Sequence, residues 1–251
     1  MSPISTLPVR RVEALPPGDA PEVTRADAWM LRIPAVDRLL RRGLDLGRVT
    51  VLVGENGSGK STIVEAVAMA YGLGAEGGSV HARHTTAVSE SSLHARVRLV
   101  RGVSGGRWGY FLRAETMHGL YTYLRDIGPP PRDRNDRSAR LHELSHGESF
   151  LEVLRTRFTR PGLYVLDEPE AALSFRTSLA ALAHLTELAA DGGQLLIATH
   201  SPVLAALPGA RILELDEGGW TERAWDELAL VREQQGFLAD PERFLRHLRH
   251  P

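Results

Sequence analysis

The chain has 251 residues, 43% of them hydrophobic and 24% charged, with a net charge of -1. That balance is ordinary for a folded protein with a sizeable core, and it excludes an overall basic field that would gather nucleic acid. There is no cysteine, hence no disulfide or thiolate metal site; no apolar run nears the roughly 20 residues of a membrane span, and the N-terminus lacks the apolar core of a secretory signal, so a cytoplasmic protein without membrane insertion is expected.

In chain order, residues 1–27 are proline-rich and predict an extended arm, with 28–251 as a single domain. "AWMLRIPAV" and "LDLGRVTVLVG" read as strands; the run Val49–Val53 is short, β-branched and closed by Gly54, as a buried strand should be. "STIVEAVAMAYGL" has helical period, with Ile63, Val64, Val67 and Ala70 on one face and Gly72 and Gly74 at its end. "ARVRLV" alternates with period two, and the glycines before "WGYFLRAE" predict a hairpin between the two segments. Residues 128–140 are a polar, Pro-rich loop. "ESFLEVLRTRF" reads as a helix, "GLYVLDEPE" as a strand with its end-loop, and "FRTSLAALAHLTELAADGG" as a helix stopped by glycine. "QLLIATHSP" is a further buried strand and "ARILELDEGGWTERAW" a hairpin. "DPERFLRHLRH" is a closing amphipathic helix with Asp240 as N-cap and Pro241 first. Strands alternating with helices argue an α/β sheet, and the hairpins an added antiparallel portion.

Four segments carry chemistry. Gly54, Glu55, Asn56, Gly57, Ser58, Gly59, Lys60 and Ser61 spell the phosphate loop, followed by Thr62, between a predicted strand and a predicted helix. Glycines let backbone N–H groups turn inward at a helix N-terminus that favours anions, Lys60 reaches the phosphates, and the Ser61 hydroxyl binds Mg²⁺. Lys60 is the only lysine in a chain with 30 Lys plus Arg. A compact ammonium fits inside such a loop, whereas a broad planar guanidinium does not. Asp167 closes the apolar run Leu163–Leu166, where it can hold the Mg²⁺ shell, and Glu168 beside it can orient or deprotonate the attacking water. Ser145 and Glu148 form a capping box before an apolar run, and with Gly147 they mark a helix N-terminus suited to an anion. His200 follows a buried strand, from which imidazole can reach a γ-phosphate.

These four elements, in this order, resemble the Walker A, signature, Walker B and switch-histidine motifs of ABC-type ATPase heads. "LSHGES" is similar to their "LSGGQ" signature, and its glutamate is closer to SMC and RecF repair heads than to transporter subunits. "THSP" resembles stand-alone heads of the overcoming-lysogenization-defect kind, and the chain from about 28 to 250 looks like small bacterial AAA/ABC-type ATPases. The resemblance implies a P-loop NTPase of ABC-ATPase type: a mainly parallel core sheet flanked by helices, an antiparallel β portion and a helical signature segment near 118–160. It implies ATP and Mg²⁺ as ligands, hydrolysis to ADP and phosphate, and an ATP-bound homodimer in which Ser145, Gly147 and Glu148 act on the partner's nucleotide. Gly54–Thr62, Asp167, Glu168 and His200 act on the chain's own. DNA or a protein effector is the implied partner of a repair or defence switch. The alternatives are the ATPase subunit of a transporter and a nucleotide-binding switch with little turnover.

The sequence departs from the pattern in three places, one of which is that the short span from Lys60 to Ser145, without heptads, leaves no room for the long coiled-coil arms of SMC-type proteins. Transporter and SMC heads carry a Q-loop glutamine, and no Gln lies between Lys60 and Ser145. Glu115, ending "GYFLRAE", is the candidate for that Mg²⁺ or water contact; a surface carboxylate after a strand is the alternative. No aromatic residue stands out for stacking adenine, and Trp29 is expected in the core. His81 and His84 read as surface histidines, residues 132–137 as a solvated charged loop, and Phe175 stands where such heads often have proline.

Overall fold

The computed structural model describes residues 6–25, 27–74, 78–79, 91–103, 108–113 and 146–249. Its main sheet has seven strands: β3 (Val49–Gly54), β4 (Gly78–Ser79), β6 (Gly109–Arg113), β7 (Leu163–Asp167), β8 (Gln194–Ala198), β9 (Arg211–Asp216) and β10 (Gly219–Arg223). Their spatial order is β10-β9-β3-β8-β7-β6-β4. The five inner strands, β9 through β6, run parallel, while β10 and β4 add antiparallel edges.

The sheet is covered on both faces, which explains why its inner strands are apolar without alternation. Successive side chains still part to opposite sides. On β3, Leu52 joins one core while Val51 and Val53 join the other; on β8, Leu196 and Ala198 oppose Leu195 and Ile197. The first core is filled by helices α1 (Pro34–Arg42) and α2 (Lys60–Tyr71). The second is filled by α3 (His146–Arg157) and α4 (Phe175–Ala190), through Phe150, Leu154, Ala181 and Leu185. Ser174 caps α4 by accepting from the Thr177 N–H at 3.3 Å. A short α5 (Pro202–Ala205) leads into β9. The chain then runs through α6 (Ala229–Ala239) into α7 (Pro241–Arg249), where Asp240 accepts from the Arg243 N–H at 3.2 Å, as an N-cap does. The closing helix packs on α6 through Phe237 and Phe244, ring centroids 5.7 Å apart. Among the described residues, no helix is long and apolar enough to cross a membrane.

A second, antiparallel sheet is built from β1 (Arg11–Ala14), β2 (Leu44–Asp45) and β5 (Val97–Val100), in the order β2-β1-β5. Part of the expected arm is therefore a strand, and its Val9 and Val12 are fully buried. Gln194, buried at the start of β8, holds this segment. Its side-chain oxygen accepts from the Val9 N–H at 2.9 Å, and its amide nitrogen donates to Val9 O and, at 2.9 Å, to Gly47 O.

Two expectations are corrected. "AWMLRIPAV" is not a strand: Met30–Arg32 is a 3-10 turn and α1 begins at Pro34. Proline suits the first helical position and holds the preceding Ile33 extended, and Ala35, Val36 and Leu39 bury one helical face. Nor do β5 and β6 form a hairpin. β5 pairs with β1, while β6 lies between β7 and β4. Residues Gly109–Leu112 are all buried, the signature of an inner strand rather than of one arm of an exposed hairpin.

Candidate functional site

The parallel strands β3, β8 and β7 lie side by side and end on one edge of the sheet, the edge where open α/β sheets take ligands. From those three ends come Gly54, Asp167 and the Thr199–His200 pair, 146 positions from first to last in a chain of 251 residues (200 − 54).

The loop after β3 depends on backbone that only glycine adopts easily. Gly54, Gly57 and Gly59 have φ of 144°, 80° and 99°. A Cβ on Gly59 would stand 2.6 Å from Ile33 Cγ2, whereas Gly57 has open space around it. Lys60, 3% exposed, turns back into the loop; its Nζ donates to Gly54 O at 2.9 Å and Glu55 O at 3.0 Å. Burial pushes its pKa below the ordinary 10.5, and the nearby carboxylates of Glu168, Asp167, Glu170 and Glu55 oppose that shift. The buried Ser58 Oγ has no hydrogen-bond partner among the described residues. A cavity of ≈ 280 Å³ opens here, lined by Trp29, Ile33, Asn56, Gly57, Gly59, Lys60, Ser61, Thr62 and Glu168. A buried ammonium, turned glycines and an orphaned hydroxyl fit a phosphate chain.

Asp167 is buried at the end of β7 with an oxygen 3.4 Å from Arg113 Nε. The next residue, Glu168, has φ 48° and ψ 49°, the left-handed region, and is the only described non-glycine with positive φ. Such strain collects at functional sites because neighbouring contacts over-determine it. Here the Glu168 N–H is tied to Ala198 O at 2.9 Å, and Pro169 follows directly. The turn swings the Glu168 carboxylate toward the cavity, 3.5 Å from His200 Nε2.

Among the described residues no cluster of three or more metal-type side chains exists. Mg²⁺ does not need one, because it keeps waters and takes oxygens from the nucleotide. Ser61 and Asp167 suit that chemistry as one hydroxyl and one carboxylate. Glu115 and Ser145 lie outside the described residues, as do His81, His84 and residues 132–137.

Gly147 sits in the first turn of α3, against Pro169–Ala172: a Cβ there would meet Ala172 O at 3.3 Å and Thr177 Oγ1 at 3.3 Å. Glu148 follows, exposed. Neither lines the cavity, which takes Asn56, Gly57, Gly59–Thr62 and Glu168 from the predicted residues; His200 joins through Glu168 and Asp167 precedes it on β7, while α3 meets the turn after Glu168.

Three features escaped the sequence. Trp29 is 50% exposed at the cavity rim rather than in the core. Arg113, aligned with Asp167 across β6 and β7, pairs with Glu65 at 3.0 Å as well as with Asp167. Glu170 accepts from the Thr199 hydroxyl at 2.7 Å and from the His200 N–H. A second acid in "DEPE" and a threonine before the histidine in "THSP" were the available signals for the last.

Known proteins share this chain's sequence pattern. The family described as ABC transporter matches residues 40–171. The aliphatic sulfonates import ATP-binding protein SsuB 2 of Nocardia farcinica is 32% identical over 190 residues, covering 72% of this chain and 76% of that protein. The arabinose import ATP-binding protein AraG of Ralstonia nicotianae is 28% identical over 63% of this chain, which spans 34% of AraG. Among solved structures, a nucleotide-free ATP-binding cassette from an ABC transporter matches with TM-score 0.46 and 16% identity, covering 93% of this chain and 96% of that one.

Proposed function

The chain belongs to the ABC transporter family of ATP-binding domains, and on that premise we propose that it is the ATPase subunit of a membrane transporter, working as a head-to-tail pair on Mg²⁺ and ATP. Proteins of this family bind and hydrolyse ATP, and this chain is an ATPase of that class. The observation that carries the residue assignment is the meeting of Lys60, Glu168 and His200 at the ends of three adjacent parallel strands. Import ATP-binding proteins among the relatives favour a transporter over the repair or defence switch suggested by Glu148 and "THSP".

In this reading the amides of Gly54–Thr62 and the Lys60 ammonium hold the phosphates, and Ser61 and Asp167 hold Mg²⁺, which supplies charge neutralisation. Glu115 contributes to that shell. Glu168 orients the attacking water and takes its proton, while His200 fixes the Glu168 carboxylate and reaches the γ-phosphate. Trp29 offers its exposed face to adenine. Ser145, Gly147 and Glu148 complete the site of the second protomer, so turnover needs the dimer. Residues 28–251, with β1 packed into their small sheet, act as one ATPase domain at the cytoplasmic face of the membrane partner.

The test is steady-state ATPase rate together with molar mass by light scattering, with and without ATP, on wild type, Glu168→Gln and Ser145→Arg. Glu168→Gln accumulates an ATP-bound dimer without turnover, and Ser145→Arg loses both. A wild type that stays monomeric and is indifferent to Ser145→Arg overturns the paired site. Turnover stimulated by DNA, with no complex formed with a membrane protein encoded beside it, returns the reading to repair.

A further inference from the structure

We propose that Glu170 is a positioning residue for hydrolysis, holding the switch loop so that His200 faces Glu168. The assignment rests on the ATPase reading above and deepens it.

Glu170 lies in the 3-10 turn Pro169–Ala172, two residues after Glu168. Its carboxylate reaches away from its own turn to the loop after β8. One oxygen accepts from the Thr199 hydroxyl at 2.7 Å, and the other accepts from the His200 backbone N–H. Thr199 is fully buried, and its hydroxyl oxygen accepts in turn from the Ser201 N–H at 2.9 Å. The Thr199 N–H donates to Leu52 O at 3.0 Å, which anchors the loop to β3. Three consecutive loop residues are thus fixed by one carboxylate and one hydroxyl. The two bonds to the Glu170 carboxylate have a charged acceptor, the stronger kind.

The other end of the turn is equally constrained. Ala171 N–H donates to Glu168 O at 3.1 Å and Leu173 N–H to Glu170 O at 2.9 Å. Ala172 O is the atom a Cβ on Gly147 would meet at 3.3 Å. The turn therefore touches the signature helix on one side and the histidine loop on the other. Glu168 heads the same turn, and His200 is the residue whose amide Glu170 holds. The 3.5 Å separation of Glu168 Oε1 and His200 Nε2 is fixed by backbone that Glu170 ties together. A rigid link of this kind holds catalytic side chains in register without itself touching substrate.

The side chain is matched to this task. A carboxylate offers two acceptor oxygens to two donors. Glutamine at this position keeps the length, but its oxygen serves only the His200 N–H and its amide meets the Thr199 hydroxyl only as a donor, so the Thr199 bond must reverse and neither bond keeps a charged acceptor. Alanine loses both.

The experiment measures kcat and KM for ATP, with thermal unfolding, on wild type, Glu170→Gln, Glu170→Ala, Thr199→Ser and Thr199→Val. The backbone amide proton of His200 is followed by NMR in parallel. The expected result is a fall in kcat of about 10-fold for Glu170→Gln and about 100-fold for Glu170→Ala, within the range seen when catalytic groups are misplaced. KM for ATP changes less than about twofold, because uniform binding is untouched. Thr199→Ser, which keeps the hydroxyl, falls less than Thr199→Val. The His200 amide proton moves upfield in Glu170→Ala. A Glu170→Ala protein with wild-type kcat, or one whose KM and melting point fail together with kcat, overturns the assignment while the ATPase reading stands. A wild type that binds ATP without turnover overturns the ATPase reading, and the assignment with it.

Discussion

Glu168 Oε1 and His200 Nε2 stand 3.5 Å apart across the ends of β7 and β8, joining the two strand-end motifs into one site. The Glu168 carboxylate is there because its backbone is in the left-handed region. Glutamine keeps the shape and removes the base, so Glu168→Gln is expected to lower kcat by about 10²–10³-fold with ATP affinity retained. Single-turnover hydrolysis and equilibrium nucleotide binding check both halves.

The same left-handed backbone predicts a stability effect separable from catalysis. Relative to glycine, an L-residue there costs about 1–2 kcal/mol, and glycine's extra unfolded-chain entropy returns about 0.5–1 of it. Glu168→Gly should therefore be more stable than Glu168→Ala by about 0.5–1 kcal/mol, although both lack turnover. Urea unfolding of the two inactive variants decides it.

Lys60 is held by two carbonyls of its own loop, and an arginine there has no room for its planar fork. Lys60→Arg should weaken ATP binding at least about 10-fold. The wild type has a further signature. Burial lowers the lysine's pKa from 10.5, and a bound triphosphate favours the charged form, so binding raises that pKa again. ATP binding at alkaline pH should then take up protons, and affinity should decline with rising pH before an ordinary lysine would titrate. Calorimetry in buffers of different ionisation enthalpy reads the uptake, and no uptake would count against a depressed lysine.

Trp29 is half exposed at the rim of the cavity that holds Lys60. Aromatic stacking on a base is worth about 1–3 kcal/mol, so Trp29→Ala should raise the dissociation constant for ATP about 5- to 160-fold. Stacking reads no base edge, so GTP should lose as much. Stability should change little. Tryptophan fluorescence on nucleotide addition, compared between wild type and the variant, gives the direct measurement.

Arg113 spans Glu65 and Asp167, two buried carboxylates on α2 and β7. Removing one member of a buried charge cluster costs about 3–5 kcal/mol. Arg113→Met should lose about that much in urea unfolding. The companion variant Glu65→Gln should soften the loss, because one buried charge is removed with its partner.

The phosphate loop and the two strand-end motifs were legible because each is a contiguous string whose spacing is set by its own turn. Val49–Val53 read as a buried strand because the run is short, β-branched and closed by Gly54. The relations between strings were not legible. Arg113 meets Asp167 because β6 and β7 are in register, and Glu170 meets Thr199 because β7 and β8 are neighbours. Neither follows from period or composition. The misread strand before residue 34 shows a different limit. A short apolar run fits strand and helix alike, and the deciding residue was Pro34. The predicted hairpin failed because β5 and β6, near in sequence, were claimed by different sheets.

The small sheet has a practical consequence for anyone trimming the protein. β1 is its middle strand, with β2 on one side and β5 on the other. A chain begun at residue 28 would leave both neighbours with bare ladders and strip Gln194 of its Val9 bonds. Open strand edges recruit strands from other molecules. Such a shortened protein, with every residue of the proposed nucleotide site intact, should self-associate into β-rich aggregates, a loss easily mistaken for a defect in catalysis.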